Sequence, residues 1–294
     1  MAIPEIRIHA HAKINLYLEV ISKRSDGYHE IETVFHSIGL HDDVIVRKRS
    51  DRAITVRCDD PQVPTDARNL AYRAAKLLTD FRPGIPGVEI DIQKRIPVAS
   101  GLGGGSANAA AVLWGMNQLF DLNLAQPELM RLSARIGADV PFCLLGGAAI
   151  GRGIGEVLTP LPPLDNAWIV LANPGFGVPT AWAYDNINFP LTKSSKNVNI
   201  LVCHLHNGEL ESVAAQLFNR LETTVNSKYQ SVAKLKTKLA ACPGSFGALM
   251  SGSGATVFAL VDSQHQANAA VSIIGAAAAF QAVTYLSPVG LSLD

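Results

Sequence analysis

Between Val88 and Trp114 the chain passes from a strand-like segment, through a glycine-rich turn, into the start of an apolar helix. No other stretch limits the possible fold as much. The strand is Val88-Glu-Ile-Asp-Ile92. The turn, Pro97 to Ala109, reads PVASGLGGGSANA and holds four glycines, three of them consecutive. The helix opens with Ala109-Ala-Ala-Val-Leu-Trp114. Glycine permits positive φ and leaves no Cβ between backbone N–H groups and a ligand. A helix start adds unpaired N–H groups and the positive end of the macrodipole. Together they form an anion site, most often for phosphate. Ser106 is placed to cap the helix and to offer a hydroxyl near a phosphate-bound metal.

Two familiar phosphate loops are excluded. GxxxxGK[ST] needs a lysine where Gly105 stands. GxGxxG counted from Gly101 ends on Ser106 instead of glycine. Asp121 lies at the distance of a ribose-binding acid, but it follows the helical Leu119-Phe120 where a second strand should end. A plain linker is the remaining alternative, and linkers are rarely followed at once by a compact apolar helix.

A length of 294 residues suits one large domain or two ordinary ones. Hydrophobic residues make up 48% and charged residues 17%, which supports a buried core and argues against disorder. Basic and acidic residues number 25 each, so there is no basic field to hold a nucleic acid polymer. Cys58, Cys143, Cys203 and Cys242 are widely spaced and form no CxxC, so neither a zinc site nor a disulfide framework is expected. Reduced cysteines fit a cytoplasmic setting. The opening MAIPEIRIHAHAKINL has no apolar run of signal-peptide length, and the run Ile274–Phe280 is too short to span a bilayer.

Alternating apolar and polar residues predict strands at Ile6–Lys13, Ile14–Val20, Ile31–Ile38, Asp43–Arg49 and Ile54–Cys58. Arg24–Gly27 is a turn by its Asp-Gly pair. Asn69 is expected to cap a helix to about Thr79, and Pro127 to start one ending near Ile136. Gly146–Ile150, Trp168–Leu171, Ala255–Val261 and Ala282–Leu286 read as further strands. Met250–Gly254 is a second glycine-rich turn. Helices are expected at Leu210–Leu217, Ser231–Leu239 and Gln264–Ala279. The prolines of Thr159–Pro163 suggest a boundary, giving domains 1–158 and 159–294. The expected class is α+β, with mixed or antiparallel sheets and packed helices.

A phosphate loop implies a nucleotide and raises the question of what attacks phosphorus. Phosphoryl transfer needs positioning, charge neutralisation and often a carboxylate to take the nucleophile's proton. Asp139, between a helix end and Pro141, is the best candidate; standing alone, a turn or cap aspartate is the simpler reading. Lys13 is the matching cation, set in a strand of small and apolar residues where an unpaired lysine is costly. An edge-strand lysine is its simpler reading. His9 and His11 form HxH on one strand face, and His204 and His206 are read the same way. Neither pair shows a third ligand nearby, so surface or packing roles are expected. Trp114 is expected in the core.

The two glycine motifs, in this order, resemble those of the GHMP kinases. Pro97–Ala109 is similar to that family's phosphate-binding motif and Leu249–Phe258 to its C-terminal glycine-rich motif. Ala12–Leu18, Arg24–His29, Ile136–Pro141, Gly153–Glu156 and Asn173–Gly175 resemble the branch that acts on a cytidine-diphosphate-linked alcohol. The resemblance covers nearly the whole chain. It implies a two-domain fold with a cleft, residues 1–158 binding ATP and 159–294 the acceptor. It implies an ATP-dependent phosphotransferase acting on the 2-hydroxyl of 4-diphosphocytidyl-2-C-methyl-D-erythritol, in the non-mevalonate route to isoprenoid precursors. Asp139 then matches the catalytic aspartate and Lys13 the lysine beside it. Pro97, Val98, Ala99, Ser100, Gly101, Leu102, Gly103, Gly104, Gly105, Ser106 and Ala107 match the ATP phosphate loop. Asn15, Tyr28 and His29 match positions that hold the cytosine and the erythritol, with Tyr184 the second aromatic over the base. Mg²⁺ is implied, held mainly through ATP phosphates with Ser106 nearby. No protein ligand for it is assigned: Glu128 stands where some members carry a glutamate, with no motif around it.

Two alternatives stay open. One is a GHMP kinase of the homoserine or mevalonate type; Asp26-Gly-Tyr-His29 argues against it, since those substrates carry no base to stack. The other is a non-catalytic nucleotide-binding protein on the same fold; the presence of both Lys13 and Asp139 argues against that.

Overall fold

The computed structural model describes residues 4–164, 167–187 and 196–294. The first half runs β1 (Glu5–Lys23), β2 (His29–Lys48), β3 (Ile54–Cys58), α1 (Leu70–Phe81), β4 (Val88–Gln93), α2 (Gly104–Leu119), α3 (Gln126–Ser133), α4 (Val140–Leu145), β5 (Ala148–Arg152) and β6 (Val157–Leu161). The second half runs β7 (Trp168–Asn173), α5 (Thr180–Asp185), α6 (Val198–Asn207), α7 (Leu210–Ala215), β8 (Phe218–Asn219), α8 (Leu221–Lys228), α9 (Gln230–Ala240), β9 (Ser245–Met250), β10 (Val257–Val261), α10 (Gln264–Ile274), β11 (Phe280–Tyr285) and β12 (Leu291–Leu293).

Two sheets form the frame. The first has the order β12-β1-β2-β4-β3, with β5 on β2, β6 on β5 and β8 on β1. The second is antiparallel, in the order β11-β7-β10-β9. One core lies between the first sheet and α1–α4, where Ile8, Val44, Val46 and Ile90 meet the alanines of α1 and α2. Another lies between the second sheet and α9–α10, built from Val170, Val257, Leu235 and Ala270. The third lies where the sheets face each other: Ile14, Leu16 and Ile38 against Ile169, Leu171, Phe258 and Leu260. No helix among the described residues is long and apolar enough to cross a membrane.

The structure joins what the pattern divides. Ile6–Lys13 and Ile14–Val20 are one strand, and Ile31–Ile38 and Asp43–Arg49 are likewise one strand. The alternation lapses because residues 10 to 18 are buried on both faces, helices lying on one side and the second sheet on the other. Register shifts between His11 and Lys13 and between Asn15 and Tyr17 bend this long pair. Such irregularities re-aim side chains, and here they flank Lys13 and Asn15.

Around residue 158 the chain stays in the first sheet. Strand β6 runs through this point, and β12 returns to pair with β1. Pro160 sits in β6, which among the described residues pairs with β5 alone, the position a strand proline tolerates. Helix α10 ends at Ile274 and Gly275, short of Ala279, because a glycine at φ +51 stops it. His204 and His206 lie on helix α6, where residues two apart do not share a face.

Candidate active site

Strand β4 leads through Lys94, Arg95 and Ile96 into the glycine turn. Helix α2 starts at Gly104, with Gly103 at φ +73 before it. The expected cap is therefore corrected: Ser106 sits inside the first turn, and no side chain caps this helix. Ala107 N–H donates to Gly103 O at 2.9 Å, so the N–H groups of Gly104, Gly105 and Ser106 precede the first helical bond. Leu102 and Ala107 are turned into the core, fully buried, while the other nine residues of 97–107 line a cleft of about 780 Å³. Leu102 contributes through its backbone, accepting from Lys13 N at 3.0 Å.

The second glycine turn braces the first. Thr256 N–H donates to Ser100 O at 3.1 Å, and Ser251 Oγ to Gly101 O at 2.9 Å. Gly101 has φ +85, and a Cβ there would stand 2.1 Å from Ser251 O. Only glycine allows that approach. Asn219 ties the second turn from behind, donating to Met250 O and Gly252 O at 2.8 Å each.

Lys13 lies where the loop meets the rest of the cleft. Its Nζ is 3.3 Å from Asp139 Oδ2 and donates to Asn15 Oδ1 at 2.8 Å. The lysine side chain is 5% exposed and the aspartate 33%, so the carboxylate keeps a face open to the cleft. Asn15 Nδ2 donates to Thr33 Oγ1 at 2.8 Å, and Thr33 Oγ1 donates to Tyr17 O at 2.6 Å, which fixes the amide oxygen toward the lysine. Asp139 occupies the position before α4 without capping it, so its carboxylate is not spent on the helix. Beneath it, burial pushes the Cys143 thiol up, and the charge of Asp139 adds to that. Cys143 is therefore an inert packing group.

The far end of the cleft is made of side chains. Tyr28 and His29 come from the turn into β2, and Tyr184 from α5. The rings of His29 and Tyr184 are 5.4 Å apart and tilted by 34°, while Tyr28 stands 60% exposed at the rim. Burial lowers the pKa of His29, and the nearby Lys23 lowers it further. Burial raises that of the Tyr184 hydroxyl, with Asp139 adding to the effect.

Sequence comparison decides the family at this point. The chain matches the GHMP kinases N terminal domain over residues 69–147 and the GHMP kinases C terminal model over 204–279. It is 45% identical over 262 residues to the 4-diphosphocytidyl-2-C-methyl-D-erythritol kinase of Acetivibrio thermocellus, covering 89% of this chain and 92% of that one. It is 46% identical to the enzyme of the same name from Nostoc punctiforme, over 88% of this chain and 87% of that one. The chain belongs to the 4-diphosphocytidyl-2-C-methyl-D-erythritol kinase family, within the GHMP kinases. A crystal structure of a 4-(cytidine 5'-diphospho)-2C-methyl-D-erythritol kinase superposes with a TM-score of 0.80 at 33% identity, covering 96% of this chain and all of that one. A homoserine kinase from Cytophaga hutchinsonii also superposes at 0.80, but at 21% identity it shares the fold alone. This member of the GHMP kinases is thus an ATP-dependent small-molecule kinase.

Several residues of the kinase cleft escaped the sequence reading. Lys94 is 6% exposed, ion-paired with the fully buried Asp42, and lines the cleft. A Cβ on Gly104 would stand 3.0 Å from its Nζ, so a second ammonium lies at the helix start. Asp42 also accepts from Arg95 N at 2.8 Å, Ile96 N at 2.9 Å and Asn108 Nδ2 at 2.8 Å. It therefore holds the approach to the glycine turn from outside. Removing one partner of such a buried pair strands the other charge, at a cost of about 3–5 kcal/mol. Lys94 directly follows the strand that feeds the loop, which is the signal that could have found it. Asp42 gave none. Glu128 does not line the cleft; among the described residues its acidic side chains are Asp139 and Asp185.

Proposed function

We propose that this chain transfers the γ-phosphoryl group of ATP to the 2-hydroxyl of 4-diphosphocytidyl-2-C-methyl-D-erythritol. The observation that carries the proposal is the Lys13–Asp139 pair, 3.3 Å apart, between a backbone-lined anion site and an aromatic pocket. In this reading residues 97–106 and Lys94 hold the triphosphate. Tyr28 and Tyr184 stack the cytosine, and His29 reads its polar edge. Asn15 stands beside the erythritol end.

The step needs one proton acceptor and one path for charge. The acceptor hydroxyl attacks the γ-phosphorus, its O–P bond forms, and the bond to the β-phosphate oxygen breaks to release ADP. Asp139 takes the hydroxyl proton as charge leaves the nucleophile. Lys13 orients that carboxylate and offsets negative charge between hydroxyl and γ-phosphoryl group. The N–H groups of Gly104–Ser106 face the phosphates at no cost of reorganisation. Mg²⁺ belongs to the same proposal, and the Ser106 hydroxyl with ATP phosphate oxygens would suit its preference for oxygen donors. When bound it would neutralise phosphate charge. In this reading the N-terminal domain, residues 1–158, supplies the nucleotide site, and the C-terminal domain, 159–294, shares the acceptor site. A cytoplasmic location fits the small, charged substrates.

The test is ADP release against a panel of alcohols. Turnover with the cytidine-diphosphate-linked polyol, and none with homoserine, mevalonate or galactose, is the expected result. Preference for one of the base-free alcohols would overturn the assignment.

A further inference from the structure

Outside the cleft, on the opposite face of the first sheet, three donor groups converge that the kinase chemistry does not use. Strand register sets His9 opposite Asp43 and His11 opposite His41. Of the HxH pair only His9 takes part, and the neighbouring strand supplies the other two donors, His41 and Asp43. We propose that His9, His41 and Asp43 form a site for a divalent transition metal ion of the zinc class.

Geometry supports this first. One donor atom from each residue lies within 4.8 Å of the other two. His9 Nδ1 is 2.8 Å from Asp43 Oδ1, and His41 Nε2 is 3.5 Å from the same oxygen. Ligands about 2.0–2.2 Å from a tetrahedral zinc stand about 3.3–3.5 Å apart, so small side-chain shifts complete the triangle. Two imidazoles and one carboxylate suit zinc, with the fourth position left to water.

The outer nitrogens are arranged to match. His41 Nδ1 is 2.8 Å from Gly39 O, so it carries the proton and leaves the Nε2 lone pair facing the cluster. His9 Nε2 lies 3.6 Å from the Asp294 carboxylate, and its Nδ1 meets Asp43 Oδ1 at 2.8 Å, so an ion binding at Nδ1 displaces the proton shared with Asp43. Metal-bound histidines are held as His41 is, by an oxygen acceptor on the other nitrogen. All three residues are partly exposed, between 20% and 26%, so an ion can enter from solvent.

Arg95 now fills the position. Its Nη1 is 2.8 Å from His41 Nε2, and its Nη2 is 2.5 Å from Asp43 Oδ2. The guanidinium is half exposed and can swing into water. Metal and Arg95 therefore compete for the same lone pairs. Arg95 also joins β4 to the glycine turn, and its backbone is held by Asp42, next to Asp43 on the other face. An ion at this site would sit behind the nucleotide loop.

The test is titration of the EDTA-treated full chain with Zn²⁺ by calorimetry, and with Co²⁺ by its visible absorption. One equivalent per chain is expected. His9→Ala and His41→Ala should each weaken binding at least tenfold, with Asp43→Asn as the further variant. Arg95→Ala should tighten it several-fold, which no other binding position predicts. Cys203→Ser should leave it unchanged, since Cys203 and the nearby His204 offer the main alternative donors on α6. Circular dichroism without metal checks that each variant folds. Absence of stoichiometric binding would overturn the proposal. So would binding insensitive to both histidine variants, or Arg95→Ala with unchanged affinity.

Discussion

The two ends of the cleft are built on opposite principles. The glycine-loop end is made of backbone: N–H groups at the start of α2, with Gly101 and Gly103 at positive φ. The aromatic end is made of side chains, Tyr28, His29 and Tyr184, carried on a turn and a six-residue helix. A backbone site tolerates few replacements, because a Cβ added at Gly101, Gly103 or Gly104 lands on a neighbour. A side-chain site loses one contact at a time. The loop end should therefore fail sharply and the aromatic end by degrees.

Gly101→Val should give the largest effect. Its Cβ would meet Ser251 O at 2.1 Å, from a φ of +85 that valine disfavours. Strain and overpacking together should destabilise the fold by about 3 kcal/mol or more. Denaturant melts would check it; a midpoint like that of the unsubstituted chain would mean that the two glycine turns are not braced together.

Gly104→Val comes next. Gly104 has ordinary helical geometry, and its Cβ would meet Ile96 Cγ2 and Lys94 Nζ at 3.0 Å, a milder clash that shifts of a few tenths of an ångström relieve. The fold should persist while the Michaelis constant for ATP rises roughly tenfold or more, about 1.4 kcal/mol. Unchanged ATP dependence in the folded variant would separate the loop from the nucleotide.

At the aromatic end, Tyr28→Ala and Tyr184→Ala should each lose roughly 1–3 kcal/mol of acceptor binding, the scale of one base stacked on a ring. ATP dependence should not move. A change confined to ATP would invert the assignment of the two ends.

The smallest expected effect is a pH dependence. Burial favours neutral His29, so its pKa lies below the ordinary 6.5. A depressed histidine stays neutral above that value and charges only as pH falls through the lower, folded one. The Michaelis constant for the acceptor should therefore stay flat down to pH 6.5 and rise below it. His29→Ala should abolish that rise and relax the preference for cytidine over uridine analogues. A rise centred above pH 6.5 in the unsubstituted chain would contradict this.

The same contrast explains what could be read before the fold was known. Glycine density ahead of an apolar helix is a local signal, so the glycine turn leading into α2 was legible from Pro97 to Ala109 alone. Asn69 as a helix cap was legible for the same reason, and its side chain accepts from Ala71 N. Tyr28, His29 and Tyr184 are ordinary residues brought together by tertiary structure, and only resemblance pointed to them. Lys13 was suspicious because burial of a lysine is costly, but its partner lies 126 positions away in the chain. The doubly buried stretch of β1 misled the strand count, because alternation reports one buried face and this strand has two. Short helices such as α4 and α5 span under two turns, too little for a period to show.

The central claim is that Lys13 and Asp139 act on the chemical step where the two ends meet. Turnover per folded molecule in Asp139→Asn, Lys13→Met and the double variant tests it most directly. Each single change should lower turnover by roughly 10²-fold or more, with the Michaelis constant for ATP nearly unmoved. The double variant should be little worse than either single one, since both residues serve one step. Near-normal turnover in folded Asp139→Asn, with stability alone reduced, would leave the pair a structural ion bridge behind the site.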